Sequence, residues 1–168
     1  MKGEVSTEFI KQSLDYFHAN TPRIEKCLDE LSEEEVWRSP NAESNSIGNL
    51  ILHLCGNISQ WIISGIGGEE DDRERDEEFV PDQNISKSDL LDRLKKTTSK
   101  ASNIMSSLDD RELLRVRRVQ CYDMSAIGII IHVVEHYSYH TGQIAYWTKA
   151  IRNADLGFYA GQDLNETG

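Results

Sequence analysis

The sequence predicts an all-α protein whose main helices pack as a four-helix bundle. Proline occurs only three times in the 168 residues. The alternation of apolar and polar residues that is typical of strands is almost absent, while apolar residues recur with helical spacing over long stretches. Four such stretches, joined by three connections of which two are long, are typical of a bundle. No repeat or shift in composition divides the chain, so we expect one domain over residues 1–168.

The first two helices are predicted from their apolar spacing and from the residues at their ends. The first should extend over residues 6–31, and Pro22 should kink or interrupt it because proline removes a backbone donor. The segment SEEE then predicts a capping box between Ser32 and Glu35 that begins a short helical turn. The second helix should begin after Ser46 as its N-cap and end at the segment GIGG, since glycine commonly ends helices.

The third and fourth helices have similar signals. The segment SKSD predicts a helix start, so the third helix should extend over residues 86–108. The fourth helix should extend over residues 125–152. Together with the first two, these stretches account for most of the apolar content of the chain.

The connections between the helices are predicted to be exposed. The acidic run EEDDRERDEE, at residues 69–78, is typical of a solvated loop and lies within a charged stretch near 67–85. The connection at 109–123 contains the basic cluster RVRRV and is predicted to be an exposed linker. A C-terminal tail leaves the helical pattern at about residue 153.

Charge and composition exclude several classes of partner. The formal net charge of −11 repels phosphate backbones, so we expect no nucleic-acid partner, and it disfavours an anionic membrane surface. The sequence has no apolar run of membrane-spanning length, and its N-terminal segment lacks the apolar core of a signal peptide. Its three widely spaced cysteines suit a reducing compartment, so we expect a cytoplasmic protein.

Three of the five histidines lie in the predicted fourth helix at steps of four residues: His132, His136 and His140. Positions four apart drift by only ~40° around a helix, so the rings form a row on the apolar arc that includes Ile129 and Ile144. A single buried histidine most often has one hydrogen-bond partner in the core. Three in a row would each need such a partner, and a metal ion supplies one to several rings at once. Two ligands from one helix require a third from elsewhere in the chain.

His53 is the better of two candidates for that third ligand. It lies in the middle of the predicted second helix at the edge of an apolar stripe, beside Asn57 and Gln60. This position suits a side chain at the wall of a pocket. His18 lies close to the expected interruption at Pro22, which makes it the weaker candidate.

The segments SNSIGNLILHLCGNISQWI and HVVEHYSYHTGQIAYWTKA resemble the DinB/YfiT-like superfamily of metal-dependent enzymes. The resemblance covers most of the chain and is sharpest in SIGNLILHL and in the H-x3-H-x-G-Q ending. It implies a four-helix bundle with up-down-down-up order and a metal ion bound by His53, His136 and His140. It places His132 behind the ligands, where its ring would bond a partner and influence the electrostatics of the site. The acidic run is less typical of the superfamily and could cover or flank the mouth of the pocket.

The resemblance also implies a function. Its characterised relatives include bacillithiol- and mycothiol-dependent transferases and an isomerase, which use a metal to activate a low-molecular-weight thiol. The first hypothesis is therefore a metal-dependent thiol S-transferase that acts on small electrophilic molecules in detoxification or the stress response. The ion would be Zn, Ni or Fe and the co-substrate a thiol such as bacillithiol, with Asn57 or Gln60 as candidates for orienting the substrate.

Two alternatives stay open at this point. One is a metal-dependent hydrolase in which water occupies the open metal position, and the other is a non-catalytic stress module that binds a metal or a ligand. The same three histidines serve the transferase and the hydrolase. A closed site with a fourth protein ligand would favour the non-catalytic module.

A homodimer is predicted from the side of the fourth helix opposite the histidines. A monomeric bundle should be polar there. Instead, that side carries apolar or small residues: Ile127, Ile130, Val134, Thr141 and Ala145. The alternative is that the tail, with Phe158 and Tyr159, folds back over this stripe.

Overall fold

The computed structural model describes residues 3–80, 82 and 84–167. In that part of the chain the α-helices are α1 (Glu4–His18), α2 (Asn20–Glu30), α3 (Glu33–Trp37), α4 (Ile47–Ile58), α5 (Lys87–Ser107), α6 (Asp110–Leu114) and α7 (Ala126–Arg152). A π-helical turn (Ser59–Ser64) extends α4, a 3-10 turn spans Arg75–Phe79, and the strands are β1 (Val116–Val119) and β2 (Tyr122–Ser125). The predicted all-α four-helix bundle is confirmed, with α1 and α2 together serving as one of its four members.

The core lies between the four long members of the bundle. α4 packs against α5 and α7, and the pair α1 and α2 closes the bundle against the same two helices. Phe17, Ile51, Leu94 and Tyr137 are fully buried at this centre. The Tyr137 hydroxyl is satisfied by Thr21 Oγ1 at 2.8 Å. None of the helices in the described part of the chain has the length and apolarity needed to cross a membrane.

The first predicted helix is interrupted, but the break precedes the proline. α1 ends at His18 and α2 begins at Asn20, while Pro22 lies in the first turn of α2. The backbone N–H groups of a first turn have no partner within the helix, so proline is tolerated there. The interruption was therefore predicted correctly, and its position was not.

Serine caps set the starts of α3, α4, α5 and α7. Ser32 and Glu35 form the predicted capping box, with both the side-chain and backbone bonds present. Ser46, Ser86 and Ser125 each accept a backbone N–H bond from the third residue of the helix that follows. These helix starts agree with the sequence prediction.

The connection at 109–123 is not the exposed linker that the sequence predicted. It contains α6 and an antiparallel hairpin of β1 and β2, and Gln120 adopts a positive φ of 55° in the turn. Arg117 folds back to pair with Glu112, and Val119 is buried. The hairpin packs beside α7, which brings its turn close to the candidate site described below.

The stripe on which the homodimer prediction rested is largely buried within the chain itself. Ile130, Thr141 and Ala145 are buried, and Ile127 and Val134 are half-buried. The reason is that α7 contacts α1, α2 and α4, so it needs apolar residues on more than one side. This stripe therefore gives no argument for a second copy of the chain.

The C-terminal tail lies against α2. Leu156 is buried, and the Arg23 guanidinium lies 5.8 Å from the centre of the Phe158 ring and 5.6 Å from that of Tyr159. Contacts of this kind between a cation and aromatic faces are favourable. They hold the segment after α7 on the bundle.

The cysteines give a simple test of this packing. Cys27 and Cys55 are buried and Cys121 is exposed in the hairpin turn. Burial raises the pKa of Cys55 to about 12 and also raises that of Cys27, and only thiolates react readily with alkylating agents. We expect iodoacetamide to modify one thiol per native chain and three after unfolding, as measured by intact-mass spectrometry. The Cys121→Ser protein should remain unmodified in its native form, and rapid labelling of Cys55 there would contradict the packing.

Candidate metal centre

Three histidines from two helices converge on one point. His136 Nε2 of α7 lies 3.2 Å from His53 Nε2 of α4 and 3.2 Å from His140 Nε2. One nitrogen from each of the three rings lies within 4.8 Å of the other two. A tetrahedral ion with metal–nitrogen bonds of about 2.0–2.1 Å holds its nitrogens roughly 3.3 Å apart. The observed spacing therefore suits three ligands of one ion.

The helices explain why these rings meet. His136 and His140 are one helical turn apart, so they project from the same side of α7. α4 packs against that side, and its mid-helix His53 is buried there. His18, the weaker candidate, lies outside the cluster and bonds to Ser102 Oγ at 2.7 Å.

Outer hydrogen bonds fix the orientation of two of the rings. His53 Nδ1 lies 2.9 Å from Glu78 Oε2, and His140 Nδ1 lies 2.7 Å from Gln143 Oε1. Because a carboxylate and an amide oxygen accept hydrogen bonds, both Nδ1 atoms donate. The Nε2 atoms of His53 and His140 then carry lone pairs that face the centre of the cluster. Metal-binding histidines are commonly oriented by partners of this kind.

The protonation of the α7 histidines also suits metal binding. Burial lowers the pKa of His136 to about 3, and the neighbouring His140 and His53 act in the same direction. Burial is likewise the main cause of the lowered pKa values of His132 and His140. Neutral imidazole is the form that binds a metal, so these rings need lose no proton to do so at neutral pH.

Two residues of the acidic run, Arg73 and Glu78, reach into the site. The sequence indicated that this run could flank the pocket, but it did not predict that these two side chains are buried. Glu78 accepts hydrogen bonds from Arg73 Nε at 2.7 Å and Arg73 Nη2 at 2.8 Å, in addition to the bond from His53. The two side chains are only 5% and 9% exposed, so the prediction of a fully solvated loop is wrong here. Burial raises the pKa of Glu78, but the bonds from Arg73 and His53 outweigh it and hold that pKa below its ordinary value.

A glycine in α4 makes room for this ion pair. A Cβ atom at Gly56 would lie 1.8 Å from Glu78 Oε1 and 2.9 Å from Arg73 Nε. Only glycine lets the carboxylate approach His53 at this point. A glycine inside a helix costs ~1 kcal/mol relative to alanine. A glycine in the middle of an apolar helix therefore indicates that another group packs closely there, and Gly56 was the sequence signal for the approach of Glu78.

Asn57 and Gln60, the candidates for orienting a substrate, occupy different surroundings. Asn57 is buried beside His53, and its Oδ1 atom has no hydrogen-bond partner in the described part of the chain. Gln60 instead accepts a bond from Arg73 Nη1 at 2.9 Å and donates one to Asp71 Oδ2 at 2.8 Å. Gln60 thus holds the acidic segment against α4, and Asn57 is the one of the two that lies next to the cluster.

His132 lies one turn before His136 and outside the group of converging nitrogens. Its ring centre is 5.5 Å from that of His136 and 4.3 Å from that of Trp61. Its Nε2 atom is buried and has no hydrogen-bond partner among the described residues. His132 therefore packs between Trp61 and the cluster without bonding to either.

A cavity of about 460 Å³ opens beside His53 and His136. Its wall includes Asn57 from α4 and Trp61 from the π-helical turn, a type of distortion that is frequent at functional sites. The hairpin supplies Tyr122. Larger cavities, of about 1010 and 740 Å³, lie elsewhere on the surface, but the described part of the chain places no cluster of metal-binding side chains at either.

The bundle and its three-histidine cluster together define an all-α protein with a candidate metal centre. The chain belongs to the family described as "Protein of unknown function (DUF1572)", whose model matches residues 4–159. A comparison with curated proteins found no match.

Solved structures support the fold. A DinB-like protein from Bacillus cereus superposes with a TM-score of 0.67 at 18% identity, covering 84% of this chain and 91% of its own. The DinB-like protein YjoA from Bacillus subtilis gives 0.66 at 17%, covering 88% and 97%. A conserved protein from Enterococcus faecalis gives 0.67 at 15%, covering 92% and 99%. The resemblance to the DinB/YfiT-like superfamily is thus confirmed at the level of the fold.

Proposed function

We propose that His53, His136 and His140 bind one divalent metal ion per chain, and that the protein is a cytoplasmic thiol S-transferase acting on small electrophilic molecules. The observation that carries this proposal is the convergence of three Nε2 atoms next to an open cavity, with His136 Nε2 at 3.2 Å from each of the other two. Imidazole ligands suit Zn, Ni and Fe, and availability would decide between them. The three free cysteines suit the reducing compartment in which a thiol co-substrate would be found.

A bound divalent ion would supply Lewis acidity, which favours deprotonation of a thiol or a water at an open position. The protein's own contribution is to hold the ligands and shape the cavity. Glu78 and Gln143 fix the rings of His53 and His140. The Phe79 ring lies 5.1 Å from the His53 ring and covers this metal-binding side chain. Asn57, which lines the cavity, would accept an N–H or O–H bond from the substrate.

The surroundings of the cluster favour a thiol over water as the activated group. A hydrolase commonly needs a general base that removes a proton from water during the reaction. No carboxylate lines this cavity within the described residues. Glu78, the carboxylate that contacts His53, is already bonded to Arg73 and His53. A thiol that binds a metal ion is deprotonated outright, so its transfer needs no such base.

One assay separates the transferase from the alternatives. The metal-loaded protein is incubated with a generic electrophile, such as monobromobimane, with and without a low-molecular-weight thiol. We expect enzymatic turnover only when metal and thiol are both present. Hydrolysis of an ester or amide without thiol would instead support the hydrolase. No activity, together with a fourth protein ligand on the metal, would support the non-catalytic module.

Metal loading should stabilise the protein. A ligand present at 100 times its Kd stabilises the folded state by about 2.7 kcal/mol, which corresponds to a rise in Tm of roughly 5–10 °C for a chain of this size. Differential scanning calorimetry of the EDTA-treated and zinc-loaded forms measures this rise. The His140→Ala protein, as the control, should show little of it. Equal Tm values for the two forms of the unaltered protein would contradict the site.

We also propose a homodimer, on a different surface from the buried stripe. Ile131, Tyr139 and Tyr146 are exposed along α7, and Tyr16 is exposed on α1. Aromatic side chains of this kind are enriched at protein interfaces. Light scattering at micromolar concentration should give about twice the chain mass of 19.2 kDa. A mass equal to that of one chain would contradict the dimer.

A further inference from the structure

The cavity beside the cluster is lined by residues that each carry a buried polar atom without a partner in the described part of the chain. Within the described residues there are four such side-chain atoms: Asn57 Oδ1, Trp61 Nε1, His132 Nε2 and His136 Nδ1. All four residues line the same cavity of about 460 Å³. A buried polar atom without a partner costs about 1–3 kcal/mol, so such atoms are rare and are not expected to gather by chance. Their concentration at one cavity indicates a binding site for polar groups.

The hydrogen-bonding capacity of these atoms limits the ligand. The Trp61 indole nitrogen can only donate a hydrogen bond, and the Asn57 oxygen can only accept one. His136 Nδ1 is also a donor when Nε2 of the same ring faces a metal. The ligand therefore needs at least one acceptor group and, beside it, an N–H or O–H donor.

The charge of the cavity is opposite to that of the whole chain. The net charge is −11, yet no Asp or Glu lines the cavity among the described residues, while Arg73 and Arg75 do. The charge of Arg73 is balanced by Glu78. Arg75 lies over the Phe79 ring at 5.0 Å, and its ion pair with the solvent-exposed Asp76 is long, at 3.9 Å. The positive charge of Arg75 is thus available to a ligand at the rim.

We propose that this cavity binds a small carboxylate that carries an N–H or O–H donor next to the carboxyl group. The carboxylate accepts hydrogen bonds from Trp61 and Arg75, and the donor binds the Asn57 oxygen. In the setting of the proposed function, which this inference deepens, the ligand is the carboxylate-bearing part of the thiol substrate. One guanidinium and single N–H donors match a carboxylate of one negative charge better than a phosphate.

The test uses a probe without a thiol, so that it does not depend on the chemistry of the metal. N-acetylglycine, which has a carboxylate and an adjacent amide N–H, is titrated by calorimetry into the full chain in its zinc-loaded and EDTA-treated forms. The neutral N-acetylglycinamide is the control ligand. We expect N-acetylglycine to bind both forms of the protein. The neutral amide should bind at least about tenfold more weakly, because charged hydrogen bonds are the stronger ones.

Variants assign the binding to the cavity. Arg75→Gln and Trp61→Phe should each weaken binding of N-acetylglycine by about tenfold. Arg118→Gln makes the same change of charge at a similarly exposed arginine outside this cavity and should have no effect. Circular dichroism checks the fold of each protein. If Trp61→Phe fails to fold, Arg75→Gln still decides, because the Arg75 side chain is 57% exposed.

Three results would overturn the proposal. One is no binding of N-acetylglycine to either form, and another is equal binding of the neutral amide or of inorganic phosphate. The third is that N-acetylglycine binds only the zinc-loaded form and binds Arg75→Gln and Trp61→Phe as tightly as the unaltered protein. The metal, and not the cavity, would then bind the carboxylate. Failure of the proposed function has a separate readout. If N-acetylcysteine produces no thiolate charge-transfer band in the cobalt-loaded protein, the thiol function fails while the carboxylate result stands.

Discussion

Replacement of His136 by alanine should abolish stoichiometric metal binding while the helical bundle remains folded. His136 provides the central nitrogen of the cluster, 3.2 Å from both His53 Nε2 and His140 Nε2. Its loss leaves only two ligands, His53 on α4 and His140 on α7. The affinity should fall by more than the roughly 10–100-fold that loss of an outer hydrogen-bond partner costs. The fold should tolerate the change, because the buried Nδ1 atom of His136 has no hydrogen bond in the described part of the chain that could be lost.

Metal content after loading and dialysis, measured by inductively coupled plasma mass spectrometry, tests this expectation. His140→Ala should behave in the same way. His132→Ala is the matched control, since it removes a histidine from the same helix one turn away and should keep most of the metal. Full occupancy in the His136→Ala protein would remove that residue from the site.

Loss of the carboxylate behind His53 should weaken metal binding by about 10–100-fold without removing any ligand. Glu78 fixes the His53 ring through a bond of 2.9 Å to Nδ1. Changing Glu78 alone would leave the buried charge of Arg73 unpaired, which costs about 3–5 kcal/mol and would confuse the result. The double variant Arg73→Met/Glu78→Leu removes both charges and also the oxygen that accepts the bond from His53. A chelator competition assay on this protein measures the metal affinity.

Matched controls make this second expectation specific. Lys95→Met/Glu25→Leu removes an exposed ion pair by the same replacements and should leave the metal affinity unchanged. Gly56→Ala offers a second route, because its Cβ atom would displace Glu78 and leave the histidines intact. Gly142→Ala is its control, since a Cβ atom there meets nothing within 4 Å among the described residues. Unchanged affinity in both the double variant and Gly56→Ala would show that Glu78 does not support the site.

The parts of the fold and the site that were predictable depend on short-range patterns. Ser32, Ser46, Ser86 and Ser125 start their helices through bonds that reach only a few residues along the chain. The histidine row follows in the same way from helical geometry. The choice of His53 over His18 followed from its place beside an apolar stripe, but the full ligand set required the family resemblance, because the sequence alone does not say which sides of two helices meet.

The parts that were missed depend on contacts between distant segments. Arg73 and Glu78 lie in a run of charged residues, and nothing in that run distinguishes a buried ion pair from solvated side chains. Their burial depends on the space above Gly56, in another helix. The β-hairpin was missed because strands this short have too few residues to show alternation.

The argument for a homodimer from the apolar stripe of α7 failed for a related reason. An apolar outer stripe predicts an external partner only when the helix lies at the edge of the bundle. α7 contacts α1, α2 and α4, so Ile130 and Thr141 are buried by the same chain. Sequence periodicity shows that a side of a helix is apolar, and it does not identify what covers that side.

Anomalous diffraction at the zinc absorption edge, from crystals of the zinc-loaded protein, tests the central claim most directly. The proposed site predicts one strong anomalous peak per chain, bonded to the Nε2 atoms of His53, His136 and His140 at about 2.0–2.1 Å. It also predicts that no other protein atom is bonded to the ion, so that one position faces the cavity. A peak at other residues, or an ion that lacks any one of these three histidines as a ligand, would contradict the account.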